Sequence, residues 1–92
     1  MRLDRFLWFA RLARTRSAAQ TMAGAGTLRL DGRRIERAHV PVRVGSTLAF
    51  MQGDRVRVIR IETLPRRRGP AAEAMTLYTD LANTVDVSES RA

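Results

Sequence analysis

The spacing of the apolar residues changes at Gly26, and this change divides the chain into a helical first part and a strand-rich second part. Before Gly26, apolar residues recur at positions i, i+3, i+4 and i+7, which predicts a first helix over about residues 3–12. These residues are Leu3, Phe6, Leu7 and Ala10. A second helix follows, with Thr15 as its predicted N-cap and Gly26 as the residue beyond its C-cap. Its predicted apolar stripe consists of Ala18, Ala19, Met22 and Ala25.

Beyond Gly26 the apolar residues alternate with polar ones, a period that is typical of half-buried strands. Leu28 and Leu30 lead into Asp31-Gly32, which is a strong signal for a two-residue hairpin turn. The strand pattern continues in three further stretches: Arg33, Arg34 and Ile35; Val40, Val42 and Val44; and Leu48 with Phe50. A turn at Gln52-Gly53-Asp54 follows the third stretch. We therefore predict several short antiparallel strands joined by tight turns.

The last predicted strand ends at Ile61. Its valines, Val56 and Val58, stand at even positions and its isoleucines, Ile59 and Ile61, at odd positions, so the two sets would point to opposite faces. The strand is therefore either buried on both faces or interrupted by a bulge, and we favour a bulge near Val58. Residues 65–70 have no apolar periodicity, and Pro70 suits the first position of a final helix. The apolar side of that helix would carry Ala71, Ala74, Met75, Tyr78, Leu81 and Ala82.

A chain of 92 residues allows one domain with a modest core. The patterns predict an α+β fold: two N-terminal helices packed on a small, mostly antiparallel sheet, plus a C-terminal helix. We expect a folded domain over residues 1–64, a basic linker and covering helix over 65–83, and a flexible tail over 84–92. No apolar run reaches the roughly 18 residues that a membrane span needs, and cysteine is absent, which indicates the cytoplasm.

Positive charge is concentrated in the first two thirds of the chain. Residues 1–68 hold 16 arginines, no lysine and five acidic residues, whereas residues 69–92 hold one arginine and four acidic residues. This asymmetry indicates a polyanionic partner that docks on the first part of the chain. Guanidinium groups, a helix N-terminus and a glycine turn would converge on one surface where an RNA backbone could lie. On the second helix Arg16, Ser17, Gln20 and Thr21 form a polar row that begins at the positive end of the helix dipole, and this row is a candidate phosphate seat.

Other polar and aromatic residues have two interpretations each. Trp8 either stacks on an unpaired base or packs half-buried against the domain. The run Arg66, Arg67 and Arg68 either contacts RNA or forms a charged linker. Asp4 is predicted to pair with an arginine or to cap a helix. His39 has no cysteine or second histidine with which to share a metal, so we predict no metal site.

Several short motifs resemble the S4 RNA-binding motif, over roughly residues 2–50. They are Arg2-Leu3-Asp4, Thr15-Arg16-Ser17, Gly26 and the turn Asp31-Gly32. Leu7-Trp8 in the first helix, and Arg66-Arg67 through Glu73-Ala74, are similar to the bacterial heat shock protein 15 family in particular. Two positions depart from the pattern, because Asp31 stands where the motif usually has asparagine and Arg37-Ala38-His39 replaces a basic-Pro-Ser step.

The resemblance implies a protein that binds ribosomal RNA on free large ribosomal subunits. Such subunits would still carry a nascent chain on peptidyl-tRNA, and the protein would help to return stalled subunits to use. The RNA-binding residues that the resemblance implies are Arg2, Arg5, Arg11, Arg14, Thr15, Arg16, Ser17, Gln20, Arg33 and Arg34. It implies no cofactor, no small-molecule substrate and no membrane partner, and we expect a monomer. S4 modules are also appended to RNA-modifying enzymes, but this chain has no Gly-rich cofactor loop and no nucleophile with a base, so we predict no enzymatic activity.

Two further alternatives remain open at this stage. One is a general module for structured RNA that has no role at the ribosome. The other is a non-specific basic protein that binds DNA or anionic membranes equally well. The arginine-rich start also superficially suits a mitochondrial presequence, although structured elements follow it immediately.

Overall fold

In residues 1–81, which the computed structural model describes, two helices precede a sheet of five antiparallel strands. The helices are α1 (Leu3–Phe9) and α2 (Arg16–Gly24). The strands are β1 (Leu28–Leu30), β2 (Arg33–Ile35), β3 (Thr47–Gln52), β4 (Arg55–Ile61) and β5 (Tyr78–Asp80). A short helix α3 (Ala71–Ala74) and a 3-10 turn (Met75–Leu77) precede β5, and the strand order is β2-β1-β3-β4-β5. This architecture confirms the predicted α+β class.

Helix α1 ends at Phe9, three residues earlier than its apolar spacing predicts. The chain turns at Arg11, whose φ of 59° lies in the left-handed region that ends a helix. The backbone N–H groups of Leu12 and Ala13 then both donate to the Leu7 carbonyl, at 2.9 and 3.1 Å. The chain therefore folds back over the end of α1, which buries Leu12 and Ala13 outside the helix.

Helix α2 has the predicted ends but a different buried face. The Thr15 hydroxyl accepts a hydrogen bond from the Ala18 N–H at 2.9 Å, which confirms Thr15 as the N-cap. Gly26 follows the C-cap with a φ of 81°, as predicted. The predicted stripe is partly wrong, because Ala18 and Ala25 are exposed and Met22 is half-buried. The face of α2 that packs against α1 carries Ala19 and Ala23, whose small side chains allow close contact.

The hairpin of β1 and β2 turns at Asp31-Gly32, as predicted. Asp31 and Gly32 have φ values of 52° and 84°, and positive φ at both central residues is characteristic of a type I′ turn. The Asp31 carboxylate also accepts a hydrogen bond from the Thr47 N–H at 2.9 Å. Aspartate at this position therefore ties the hairpin to the start of β3.

The strand predicted through Val40, Val42 and Val44 is wrong. Residues 36–46 form a loop. Within the described chain, its only β-bridge is an isolated one that pairs Pro41 with Arg2. Pro41 has no N–H to donate, so a continuous ladder cannot pass through it. The loop instead pairs with the start of the chain, where the Val42 N–H donates to the Met1 carbonyl at 2.8 Å.

Strand β4 has no bulge near Val58, which corrects that prediction. Its pairing with β3 runs without interruption from Thr47 opposite Arg60 to Gln52 opposite Arg55. The isoleucines of β4 point into the core, whereas Val56 lies on the opposite face and is 61% exposed. Valine suits an exposed strand surface because its branched side chain fits the pleated backbone, so this pattern needs no bulge.

The predicted C-terminal helix begins at Ala71 but lasts only one turn. Residues from Tyr78 onward form β5 instead, with Tyr78 opposite Ile61 and Asp80 opposite Ile59. The Arg57 guanidinium donates to the Asp80 carboxylate at 2.9 Å and so fastens β5 to β4. The otherwise open edge of β4 gives this segment hydrogen-bond partners that a helix would not use. Ala82 and the predicted tail lie outside the described residues.

The inner side of α1 forms the centre of the core. Leu3, Phe6 and Leu7 are fully buried and belong to one cluster with apolar residues of the sheet. The fully buried sheet residues are Leu28, Leu48, Ile59 and Ile61. Because one side of α1 faces this core, its other side is free to present polar groups. Among residues 1–81, no helix is both long enough and apolar enough to span a membrane.

Candidate nucleic-acid interface

A pocket lies between α1 and α2, at the side of α1 that faces away from the core. Its lining residues are Arg2, Asp4, Arg5, Trp8, Phe9, Arg16 and Gln20. Five of these seven were predicted from the sequence to contact RNA: Arg2, Arg5, Arg16 and Gln20, and Trp8 as one of its two interpretations. Sequence reasoning missed Asp4 and Phe9 as lining residues, although Phe9 lies four positions after Arg5 and helical spacing places such residues on one face.

Asp4 forms the floor of the pocket and holds Arg2. The Arg2 Nε donates to one carboxylate oxygen at 3.0 Å and the Arg2 Nη2 to the other at 2.7 Å. The Arg5 N–H adds a third hydrogen bond at 2.9 Å, and the Asp4 side chain is only 3% exposed. The hydrogen bonds from Arg2 lower the pKa of Asp4 against the opposing effect of burial. The predicted pairing of Asp4 with an arginine is confirmed.

The lowered pKa of Asp4 predicts a pH-dependent stability. A carboxyl group whose pKa is depressed by folding stabilises the fold above its unfolded pKa and loses that contribution as the pH falls. At neutral pH the Asp4→Asn variant should therefore be less stable than the native protein in urea unfolding. The difference should begin to shrink below about pH 4, where Asp4 of the unfolded chain takes up a proton, and should disappear only at the lower pH at which the folded Asp4 is protonated as well. A difference that stays constant from neutral to acidic pH would contradict this account.

Arg5 and Arg16 are held by aromatic rings and have no carboxylate partner in residues 1–81. The Arg5 guanidinium lies 5.5 Å from the centroid of the Phe9 ring, and that of Arg16 lies 4.5 Å from the Trp8 ring. Both arginines are exposed. A guanidinium that stacks on a ring keeps its N–H groups available for hydrogen bonds to an acceptor such as phosphate. The pocket therefore presents two cations whose charge no acidic side chain compensates.

Trp8 lies beneath two arginines. Its ring is half-buried, and the Arg68 guanidinium lies 5.1 Å from its centroid in addition to that of Arg16. This arrangement agrees with the packing interpretation of Trp8. Direct stacking of an RNA base on Trp8 stays a prediction.

The other predicted RNA contacts lie outside the pocket. The Arg11 Nε donates to the Gly69 carbonyl at 2.8 Å, Arg14 is exposed, and Arg34 forms a 3.4 Å ion pair with Glu36. The remaining predicted contacts outside the pocket are Thr15, Ser17 and Arg33, all of which are exposed. The structure does not bring these six residues into the pocket, and their contact with RNA stays a prediction.

The three arginines of the 66–68 run have different surroundings. Arg67 donates to the Glu73 carboxylate at 2.9 Å, and Arg68 donates to the Trp8 carbonyl at 3.0 Å. Arg66 is exposed and has no polar partner within residues 1–81. Only Arg66 is therefore free for RNA without breaking a contact. The described part of the chain contains no group of three or more metal-ligating side chains.

Comparison with known proteins defines the class to which this fold and site belong. The S4 domain family matches residues 1–48, which include α1, α2 and the first hairpin. Heat shock protein 15 of Escherichia coli strain K12 is 34% identical over 92 residues, covering all of this chain and 68% of that protein. The Haemophilus influenzae homologue is 35% identical over 89 residues, covering 97% of this chain and 67% of that protein.

A solved structure shares the fold as well. The trimeric structure of heat shock protein 15 from Vibrio cholerae matches with a TM-score of 0.86 and 34% identity, covering 97% of this chain and 89% of that one. The chain thus belongs to the heat shock protein 15 family of S4-domain, RNA-binding proteins. It spans about two thirds of the length of the Escherichia coli and Haemophilus influenzae relatives.

Proposed function

We propose that this protein binds ribosomal RNA on the free large ribosomal subunit, when the subunit carries a nascent chain on peptidyl-tRNA, and aids recycling of stalled subunits. The observation that carries the RNA contact is the pair Arg5 and Arg16, which line one pocket without a carboxylate partner in the described chain. Membership of the heat shock protein 15 family supports the choice of the ribosome.

Charge pairing in residues 1–81 separates Arg5 and Arg16 from the arginines that already bind a carboxylate. Five arginines bind carboxylates there, namely Arg2, Arg34, Arg57, Arg60 and Arg67. Such pairs are partly neutralised, so an incoming phosphate gains less from them. Arg5 and Arg16 keep their full charge and lie beside the Gln20 amide, which can donate to a sugar or phosphate oxygen.

In this proposal, phosphate contacts provide affinity and the shape of a folded RNA provides selectivity. RNA would lie across the pocket and continue along exposed groups at the start of α2 and on the first hairpin. The flanking contacts would be Arg11, Arg14, Thr15, Ser17, Arg33 and Arg34, with Arg66 at the edge. Binding of this kind needs no cofactor and no catalytic step. We expect the protein to act in the cytoplasm. A monomer stays a prediction, whereas the Vibrio cholerae relative has a trimeric structure.

Co-sedimentation with separated ribosomal particles tests the proposal. The particles are small subunits, large subunits, large subunits bearing peptidyl-tRNA and intact ribosomes, at near-physiological salt. We expect the protein to pellet with large subunits, most strongly when peptidyl-tRNA is present. Equal pelleting with every particle would contradict the ribosome-specific role and leave a general module for structured RNA. Equal affinity for duplex DNA in competition would reduce it to a non-specific basic protein.

A further inference from the structure

Helix α1 receives its C-terminal cation from a distant part of the chain. The last turn of α1 contains no basic residue, although cations stabilise helix C-termini by interacting with the exposed carbonyl groups and the helix dipole. Arg68 occupies this position instead, because its Nε donates to the Trp8 carbonyl at 3.0 Å. Arg68 lies beyond the stretch that matches the S4 domain, residues 1–48.

The contact between Arg68 and α1 is part of a two-way connection. A second Arg68 nitrogen lies 3.4 Å from the Arg14 carbonyl, immediately before the N-cap of α2. In the opposite direction, the Arg11 Nε donates to the Gly69 carbonyl at 2.8 Å, and Gly69 is buried. Segment 68–69 therefore bridges the end of α1 to the start of α2 across the turn at Arg11.

The same guanidinium group connects this bridge to the pocket. Arg68 lies 5.1 Å from the centroid of the Trp8 ring, and Arg16 lies 4.5 Å from the same centroid. Trp8 is thus the shared support of one arginine that faces the pocket and one that fastens the helices. Since Arg68 already donates to backbone carbonyl groups, its donors are less available for phosphate than those of Arg16.

We propose that Arg68 is a positioning residue of the RNA-binding pocket. It holds Trp8 and the junction between the two helices, so that Arg16 is kept in the orientation in which it meets RNA. This inference rests on the proposed function, because it requires that the pocket contacts RNA. It also gives the segment between β4 and α3 a role in RNA affinity without a contact to RNA.

The Arg68→Ala variant tests the proposal through three measurements. We expect the dissociation constant for purified large-subunit ribosomal RNA to rise about fivefold, as the loss of a guanidinium–aromatic contact and a helix cap would allow. The log-log dependence of affinity on salt should keep its slope, because no phosphate contact disappears. The emission of Trp8, the only tryptophan in the chain, should shift to longer wavelength as water reaches the ring.

A matched control removes a similar arginine whose polar and aromatic contacts lie on the sheet and not on α1. Arg57 also lies over aromatic rings, 5.4 Å from the Tyr78 centroid, and also donates hydrogen bonds, here to Asp80. Arg57→Ala should weaken the attachment of β5, leave the Trp8 emission unchanged and lower the RNA affinity by less than about twofold, through the loss of one positive charge. Circular dichroism confirms that each variant is folded at the assay temperature. An equal loss of RNA affinity in both variants would show a general effect of stability and overturn the proposal.

The Arg68→Lys variant separates geometry from charge. Lysine keeps the charge but lacks the planar fork that reaches two carbonyl groups while covering a ring. We expect Arg68→Lys to bind RNA as weakly as Arg68→Ala. If Arg68→Ala reduces the magnitude of the salt slope by about 0.7–0.9, then Arg68 contacts phosphate directly and the proposal is wrong. If lysine restores the affinity, the planar fork over Trp8 does not position Arg16, and the proposal is also wrong.

The Arg16→Ala variant shows which of the two proposals fails. If Arg16→Ala weakens RNA binding but Arg68→Ala changes neither affinity nor Trp8 emission, then the positioning role alone is overturned. If Arg16→Ala leaves RNA binding unchanged, the pocket is not the RNA site and the proposed function falls with it.

Discussion

The Arg5→Ala/Arg16→Ala double variant should bind ribosomal RNA between about tenfold and 100-fold more weakly than the native protein. Each lost phosphate contact at an exposed side chain should cost about 0.7–1.4 kcal/mol, and every 1.4 kcal/mol is about tenfold in affinity. The two arginines share one pocket and have no carboxylate partner in the described chain, so their loss is not offset by release of an acidic neighbour. The magnitude of the salt slope should fall by about 1.4–1.8, which corresponds to two phosphates. Filter binding over a salt series measures both quantities.

The control for this variant removes two other exposed arginines and the same net charge. Arg43 and Arg55 are exposed, lie outside the pocket and have no side-chain partner within residues 1–81. Arg43→Ala/Arg55→Ala should weaken binding only through the general decrease in positive charge, by less than about threefold. If the two double variants lose the same affinity, then net charge and not the pocket governs RNA binding.

The Phe6→Ala variant should lose about 3–5 kcal/mol of unfolding free energy, as is usual for truncation of a buried phenylalanine. Phe6 is 0% exposed and is the largest of the fully buried side chains, so its removal opens a cavity where α1 meets the sheet. A domain of this size has a total stability near the low end of about 5–15 kcal/mol. Urea unfolding followed by circular dichroism should therefore show a residual unfolding free energy of only about 0–2 kcal/mol, with the midpoint moved to a low urea concentration.

Truncation of an exposed side chain provides the comparison for Phe6→Ala. Met75 is 67% exposed in the 3-10 turn, so Met75→Ala should change the unfolding free energy by less than about 0.5 kcal/mol. A loss of less than about 1 kcal/mol in Phe6→Ala would mean that the helix does not depend on this core contact. RNA binding by Phe6→Ala should fall in proportion to the folded fraction, because the pocket is built on the outer side of the same helix.

Elements defined by neighbouring residues were predictable from the sequence. Thr15 caps α2, and Asp31-Gly32 makes the hairpin turn, because each depends on the chemistry of residues within a few positions. The convergence of Arg5 and Arg16 was also predictable, since two short helices with arginines on their outer sides bring those arginines near each other.

Elements that depend on distant partners were not predictable. The spacing of apolar residues up to Tyr78 suits a helix, yet β5 forms because the edge of β4 lies within reach. The alternation at Val42 suits a strand, yet Pro41 and the adjacent start of the chain make that segment a loop. The place of Arg68 was equally hidden, because its partner Trp8 is 60 residues away in the sequence.

The sequence by itself determined the two helices, the first hairpin, the β3–β4 pair and the arginine-rich surface, because local hydrogen bonding, apolar period and charge composition act over short distances along the chain. Only the tertiary structure decided which arginine Asp4 binds, that Arg5 and Arg16 have no carboxylate partner within residues 1–81, and that Arg68 lies over Trp8. Those outcomes depend on which side chains lie close enough to bind the same partner. Their distances are set only when the core has brought the helices and strands together.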